Sequence, residues 1–180
     1  MLALCRKHFS GVAVKDVFVL TYDRMRRYKG AWHKEKKLLF PFCVFLESDN
    51  EVLLFEEFNR LPFDEFPEND LGGYGIAKKG SGLVQINSEE ETFLKFLYKE
   101  QHHLEMSQGV IRNGFAQIIA GPLIGMEQRI SKIDRHKRLA KLTLTAKRNQ
   151  SCGDRKERRE IWEQNLGYIM AGLEITEKTV

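Results

Sequence analysis

No stretch of this chain stays apolar for longer than the nine residues from Leu38 to Leu46, and Pro41 interrupts even that run. A bilayer-spanning helix needs about 20 consecutive apolar residues, so none is encoded here. The remaining hydrophobic residues come in short groups separated by glycines and charges, a pattern that folds as short strands and short helices. Over 180 residues with 42% hydrophobic and 30% charged content, those groups suffice for one large or two small folded domains. The three cysteines (Cys5, Cys43, Cys152) are odd in number and form no CxxC pair, which argues against a disulfide framework and a zinc site. With no basic-then-apolar leader at Met1, the expected compartment is the reducing cytoplasm.

Charge is segregated. Arg6 to Lys37 holds ten Lys/Arg against three Asp/Glu, Glu47 to Asp70 nine acids against Arg60 alone, and Arg129 to Glu160 twelve bases against four acids. Such a basic–acidic–basic order suits polyanion binding by the outer blocks, the alternative being clustered solvated faces.

The local grammar predicts elements. Leu2 to Phe9 has helical character. Asp16 to Tyr22 reads as a buried strand. A basic excursion from Arg24 to Lys37, turning at Gly30, leads to a second strand over Leu38 to Leu46, and this excursion between the two strands looks like a long hairpin. Ser48, Asp49 and Asn50 offer N-caps for a helix carrying Val52, Leu53, Phe55, Phe58 and Leu61, ended by Pro62. Residues 63–82 read as an exposed loop and Leu83 to Ile86 as a short strand. Ser88 with Glu91 suggests a capping box opening a helix with Phe93, Leu94 and Leu97 inside. Tyr98 to Gln108 reads as a linker. Beyond it Phe115 to Ala120, Glu127 to Ile133 and Arg138 to Leu144 alternate as strands around Gly121-Pro122 and a polar turn at Asp134 to Lys137, which suggests a small barrel. Tyr168 to Ile175 is a closing strand.

The segment from Ile118 to Ile130, with Gly121-Pro122, Gly125 and apolar flanks, resembles the KOW hairpin of ribosome- and polymerase-associated proteins. Upstream, Asp16 to Tyr22, Arg24-Met25-Arg26-Arg27-Tyr28, Trp32-His33-Lys34, Leu39-Phe40-Pro41 and Val44-Phe45-Leu46 are similar to the core of the N-terminal (NGN) domain of NusG-type transcription factors. The string Ser131 to Ala140 looks most like specialised paralogues of the LoaP antiterminator type. Three departures stand out. The usual first strand with its Trp-Tyr pair is missing, Phe40-Pro41-Phe42-Cys43 replaces Phe-Pro-Gly-Tyr, and Gln128 replaces a customary glycine.

The resemblance implies an α+β fold. An antiparallel sheet flanked by helices over residues 1–99 (NGN-like, first strand missing) is followed by a linker over 100–110 and an SH3-like barrel (KOW) over 111–180, with a charged insertion around 147–164. It implies a non-enzymatic, monomeric regulator of transcription elongation or antitermination, without cofactor or metal, that binds the clamp helices of RNA polymerase and suppresses pausing or termination. Nascent RNA, non-template DNA, or a transcription or ribosomal factor would be further partners. Polymerase docking falls to Tyr22, Phe40, Pro41 and Phe42, for which ordinary core is the alternative role. Nucleic-acid contact falls to Arg24, Arg26, Arg27, Arg135, Lys137 and Arg138. Gly121, Pro122 and Gly125 are structural. An RNA-binding KOW module of ribosomal type, or a truncated non-functional paralogue, are the other readings.

No enzymatic motif competes. Phosphate-cradle and nucleophile-elbow patterns are absent from the sequence. Gly72-Gly73-Tyr74-Gly75 sits in an acidic loop, Cys5 and His8 lack an orienting carboxylate, and the adjacent His102 and His103 cannot share a helix face.

Overall fold

The computed structural model describes residues 2–41, 43–62, 83, 86, 88–144 and 168–179. The chain is mixed α+β and divides into two compact units, one built from residues 1–19 and 40–84, the other from 20–39 and 85–180.

The first unit holds α1 (Leu2–His8), β1 (Asp16–Phe18), β4 (Phe45–Glu47) and α2 (Glu51–Asn59), with β1 and β4 paired antiparallel. Asn50 caps α2 as its residue type predicts, accepting from the Leu53 N–H at 3.1 Å. Cys5, Phe9, Ala13, Val14, Val17, Phe58 and Leu61 make its core. The run Leu38 to Leu46, expected as one strand, gives only the three residues of β4. Phe40 turns inward instead, its ring 5.7 Å from that of Phe45, which stacks on Phe18 at 5.6 Å. Likewise the expected strand Asp16 to Tyr22 breaks after Phe18, where the chain leaves this unit at Val19.

The second unit opens with the β2 (Thr21–Tyr28) and β3 (Ala31–Leu38) hairpin. Its turn residues Lys29 and Gly30 have φ of 49° and 82°, the pair of positive values that a tight hairpin turn of matching twist requires. The basic excursion is therefore itself a two-stranded ribbon, because the two-residue turn brings Arg27 opposite Trp32 and Arg24 opposite Glu35. β5 (His103–Leu104) adds to β2 in parallel, giving the order β3-β2-β5. Helix α3 (Ser88–Tyr98) buries Phe93, Leu94 and Leu97 as predicted, and three glutamates face the positive end of its dipole. Ser88 opens the helix, and its carbonyl accepts from Thr92 Oγ1 at 2.7 Å.

β6 (Ser107–Arg112), β7 (Phe115–Ala120), β8 (Ile130–Asp134), β9 (Leu139–Thr143) and β10 (Tyr168–Thr179) form a second sheet in the order β7-β6-β10-β9-β8. β10 pairs antiparallel with β9 through Gly172 and then parallel with β6 from Leu173 onward. Among the described residues no pairing joins β7 to β8, so the sheet is open where a closed barrel was expected. Residues 100–110, expected as a linker, instead contain β5 and the start of β6, and the compact units do not divide there. Ladder hydrogen bonds to β2 and β10 pull these residues into sheets despite their polarity. The expected strand at Leu83 to Ile86 and the charged segment 147–164 lie wholly or partly outside the described residues.

Gly121 has φ of 95°, and a Cβ there would lie 2.6 Å from Ser107 Cα. Ser107 is fully buried and its hydroxyl accepts from the Leu123 N–H at 3.2 Å, so the turn holding Pro122 seats directly on β6. Gly125 (φ 77°) faces open space and serves the turn by its dihedral alone.

Candidate nucleic-acid interface

On a strand successive side chains point to opposite faces. Arg24 and Arg26 therefore share one face of the β2–β3 ribbon, with Glu35 and Lys37, and Glu35 pairs Arg26 and Lys37 at 3.5 Å each. The other face carries Asp23, Arg27, Trp32 and Lys34, where Lys34 Nζ reaches Asp23 at 3.3 Å.

Arg135 to Arg138 form the turn between β8 and β9, and Arg138 closes it in the left-handed region at φ 53°. The Arg138 carbonyl accepts from the Leu173 N–H at 3.0 Å, which brings the next residue of β10, Glu174, beside the turn. Glu174 Oε1 receives Arg138 Nη1 at 2.7 Å, and the Arg138 guanidinium lies over the Trp32 indole, 4.3 Å from its centroid. A guanidinium held by a carboxylate and laid on an aromatic face is oriented by both contacts.

Around that stack lies a cleft of about 460 Å³ lined by Arg27, Trp32, Arg135, His136, Arg138 and Glu174. Three guanidiniums and one carboxylate make it a polyanion site with an aromatic wall. Of the six residues singled out for nucleic-acid contact, the fold brings together Arg27, Arg135 and Arg138. Arg24 and Arg26 are on the far face of the ribbon, and Arg24 Nε is buried with no hydrogen-bond partner among the described residues. Lys137 is exposed on the same turn, its Nζ 3.9 Å from Asp134, but it does not line the cleft.

Two members of the aromatic docking set are buried. Tyr22 is 8% exposed and Phe40 5%, so both are core residues, and they lie in different units. Tyr22 is buried beside the equally buried Asp23 near the start of β2, and Phe40 packs on Phe45. Burial raises the Tyr22 phenol above its ordinary value, with the charge of Arg24 partly opposing. Pro41 is exposed, and Phe42 lies outside the described residues.

His103 sits in a polar array between β2 and β5. Its Nδ1 is 2.8 Å from Thr21 Oγ1 and its Nε2 3.1 Å from Asp23 Oδ1, and the Met106 N–H donates to Asp23 Oδ2 at 3.2 Å. Hydroxyl, imidazole and carboxylate stand in the order of a hydrolase relay. Here, however, Asp23 is buried and Thr21 and His103 are half-buried, the Thr21 hydroxyl also lies 3.3 Å from the His102 carbonyl, and none lines the cleft. The array ties the short β5 to β2. Among the described residues no three His, Cys, Asp or Glu side chains converge to hold a metal.

Trp32 and Glu174 were not singled out as site residues by sequence reasoning. The signal for Trp32 is the two-residue turn at Lys29-Gly30, which sets it opposite Arg27. Glu174 carries no local signal, since only the partner switch along β10 delivers it. No family model and no curated protein matches the sequence.

Proposed function

We propose that this protein is a non-catalytic, nucleic-acid-binding regulator of transcription elongation or antitermination, as its NusG-like resemblance implies. The observation that carries the nucleic-acid part is the meeting of Arg27 from the β2–β3 ribbon with Arg135 and Arg138 from the β8–β9 turn around Trp32. These residues belong to two basic blocks about a hundred positions apart in the chain, which answers why both ends of a mildly cationic protein are locally basic. The transcription part rests on the resemblance of Ile118 to Ile130 and of the upstream segments to KOW and NGN sequences. On this reading β6 to β10 supply the small SH3-like module, and contact with RNA polymerase uses residues other than Tyr22 and Phe40.

A salt titration of single-stranded RNA and DNA binding by the whole protein tests the first part. Each lost phosphate contact flattens the dependence of log affinity on log salt by ~0.7 for single strands and ~0.9 for duplex. The expected result is a steep wild-type slope that Arg27→Ala and Arg135→Ala each reduce by one contact. Unchanged slopes in both variants overturn the reading. Retention of core RNA polymerase on the immobilised protein tests the second part. Nucleic-acid binding without polymerase retention favours the ribosomal-type RNA-binding module.

A further inference from the structure

We infer that the cleft is a pocket for one guanosine nucleotide, stacked on the Trp32–Arg138 pair with its base edge on Glu174 and its phosphate on Arg27 and Arg135. This builds on the reading of the cleft as the nucleic-acid contact and narrows it to a single base.

Duplex-binding surfaces follow a groove and phosphates, and have no use for a concave aromatic wall. A cleft of about 460 Å³ falls within the range of pockets that enclose a small molecule. A nucleotide that is free, or unpaired within a strand, offers both a π-face and a phosphate to such a site. Bases stack on aromatic rings and equally on guanidinium planes, and here the two are already stacked on each other at 4.3 Å. Arg27 lies opposite Trp32 in the hairpin register and Arg135 opens the facing turn, so cationic groups flank the platform.

Glu174 decides which base. A carboxylate in a phosphate site repels the anion that the arginines attract, a cost offset by its hold on Arg138 and, on this proposal, by recognition of the base. An ionised carboxylate only accepts hydrogen bonds, and it has capacity beyond the one contact from Arg138. Guanine alone among the standard bases presents two adjacent donors, N1–H and the 2-amino group, on its Watson–Crick edge. Adenine, cytosine and uracil each set an acceptor beside their donor there, which a carboxylate repels. Glu174, pinned by Arg138 and by the β10 backbone, has the chemistry to choose guanine and the support to hold still while doing so.

The test uses the whole protein carrying Trp162→Phe, so that Trp32 is its single indole. It is titrated with GMP, AMP, CMP, UMP and inorganic phosphate while Trp32 emission is followed, and calorimetry on the unsubstituted protein reads the same preference. GMP is expected to quench Trp32 and to bind about 10-fold or more tighter than AMP, since a site built to receive hydrogen bonds rejects analogues that cannot donate them. Glu174→Gln should bring the GMP and AMP affinities together, and Arg135→Ala should weaken all four nucleotides alike. Equal binding of all four, quenching by phosphate alone, or an undiminished GMP preference in Glu174→Gln overturns the proposal. Oligouridylate of about nine nucleotides, with and without one central G, separates the sources. A G-dependent gain in the strand places the guanosine in nucleic acid. Salt-dependent strand binding without a base preference overturns the guanosine pocket and leaves the proposed function standing. GMP selectivity with no strand binding supports the pocket as a free-nucleotide site and overturns the nucleic-acid function.

Discussion

His103 on the two-residue β5 strand and Asp23 on the adjoining β2 meet side chain to side chain, imidazole Nε2 3.1 Å from carboxylate Oδ1, with Asp23 only 5% exposed. A buried carboxylate persists because donors replace its water: His103, the Met106 N–H and Lys34 all reach it. Since β5 pairs with β2 at only two positions, side chains rather than the ladder hold it there.

Asp23→Ala removes the acceptor shared by those donors. Loss of one partner from a buried ionic array costs about 3 kcal/mol or more. Urea denaturation of the second unit should show that loss, and a change under about 1 kcal/mol would remove the array from any structural role.

The two KOW-like glycines should differ sharply. Gly125→Ala meets no neighbour and pays only for its left-handed dihedral, about 1 to 2 kcal/mol. Gly121→Ala bears the same dihedral cost and also drives a methyl into the Ser107 backbone, adding about 1 to 3 kcal/mol. Thermal unfolding of the two variants side by side checks the order, and equal midpoints would contradict the close approach.

Arg26 and Arg27 are neighbours in sequence and opposites in space. Arg27→Ala should flatten the salt dependence of single-strand binding by ~0.7, whereas Arg26→Ala should leave it within error. If Arg26→Ala has the larger effect, the binding face of the ribbon is the other one.

Phe40→Ala should act on stability. Truncating a buried phenylalanine costs about 3 to 5 kcal/mol, and Phe40 packs on Phe45 inside the first unit. A variant as stable as the parent but unable to retain RNA polymerase would instead restore Phe40 as a docking residue.

Alkaline pH should weaken the fold. Burial pushes the Cys5 and Cys43 thiols above their ordinary 9.0 and the Tyr22 phenol above its ordinary 10.0. The folded chain then keeps these protons to a higher pH than the unfolded chain does. Their contribution is intact below pH 9 and declines as pH rises through 9 and above, because the unfolded state ionises first. Denaturation midpoints at pH 8 and pH 10 measure the decline, and Tyr22→Phe should lessen it in the second unit. Midpoints that do not fall with pH would show these groups to be solvated.

Local elements of this fold follow from what neighbours along the chain decide among themselves. Lys29-Gly30 turns because glycine accepts positive φ, Asn50 caps α2 because its side chain reaches the Leu53 N–H, and Phe115 to Ala120 extends because its residues favour a pleated surface. The burial of Tyr22 and Phe40 was not legible, because whether an aromatic faces solvent depends on what arrives to cover it from elsewhere. The same holds for His103 and Leu104, polar linker by composition and strand once β2 lies alongside. The cleft is the extreme case: Arg27, Arg138 and Glu174 come from three distant segments, and their meeting depends on β10 exchanging β9 for β6 at Leu173. Local preferences are worth tenths of a kcal/mol per residue, while long-range pairing and burial are shared among segments that no local window contains, so tertiary structure alone settled which charges became a site.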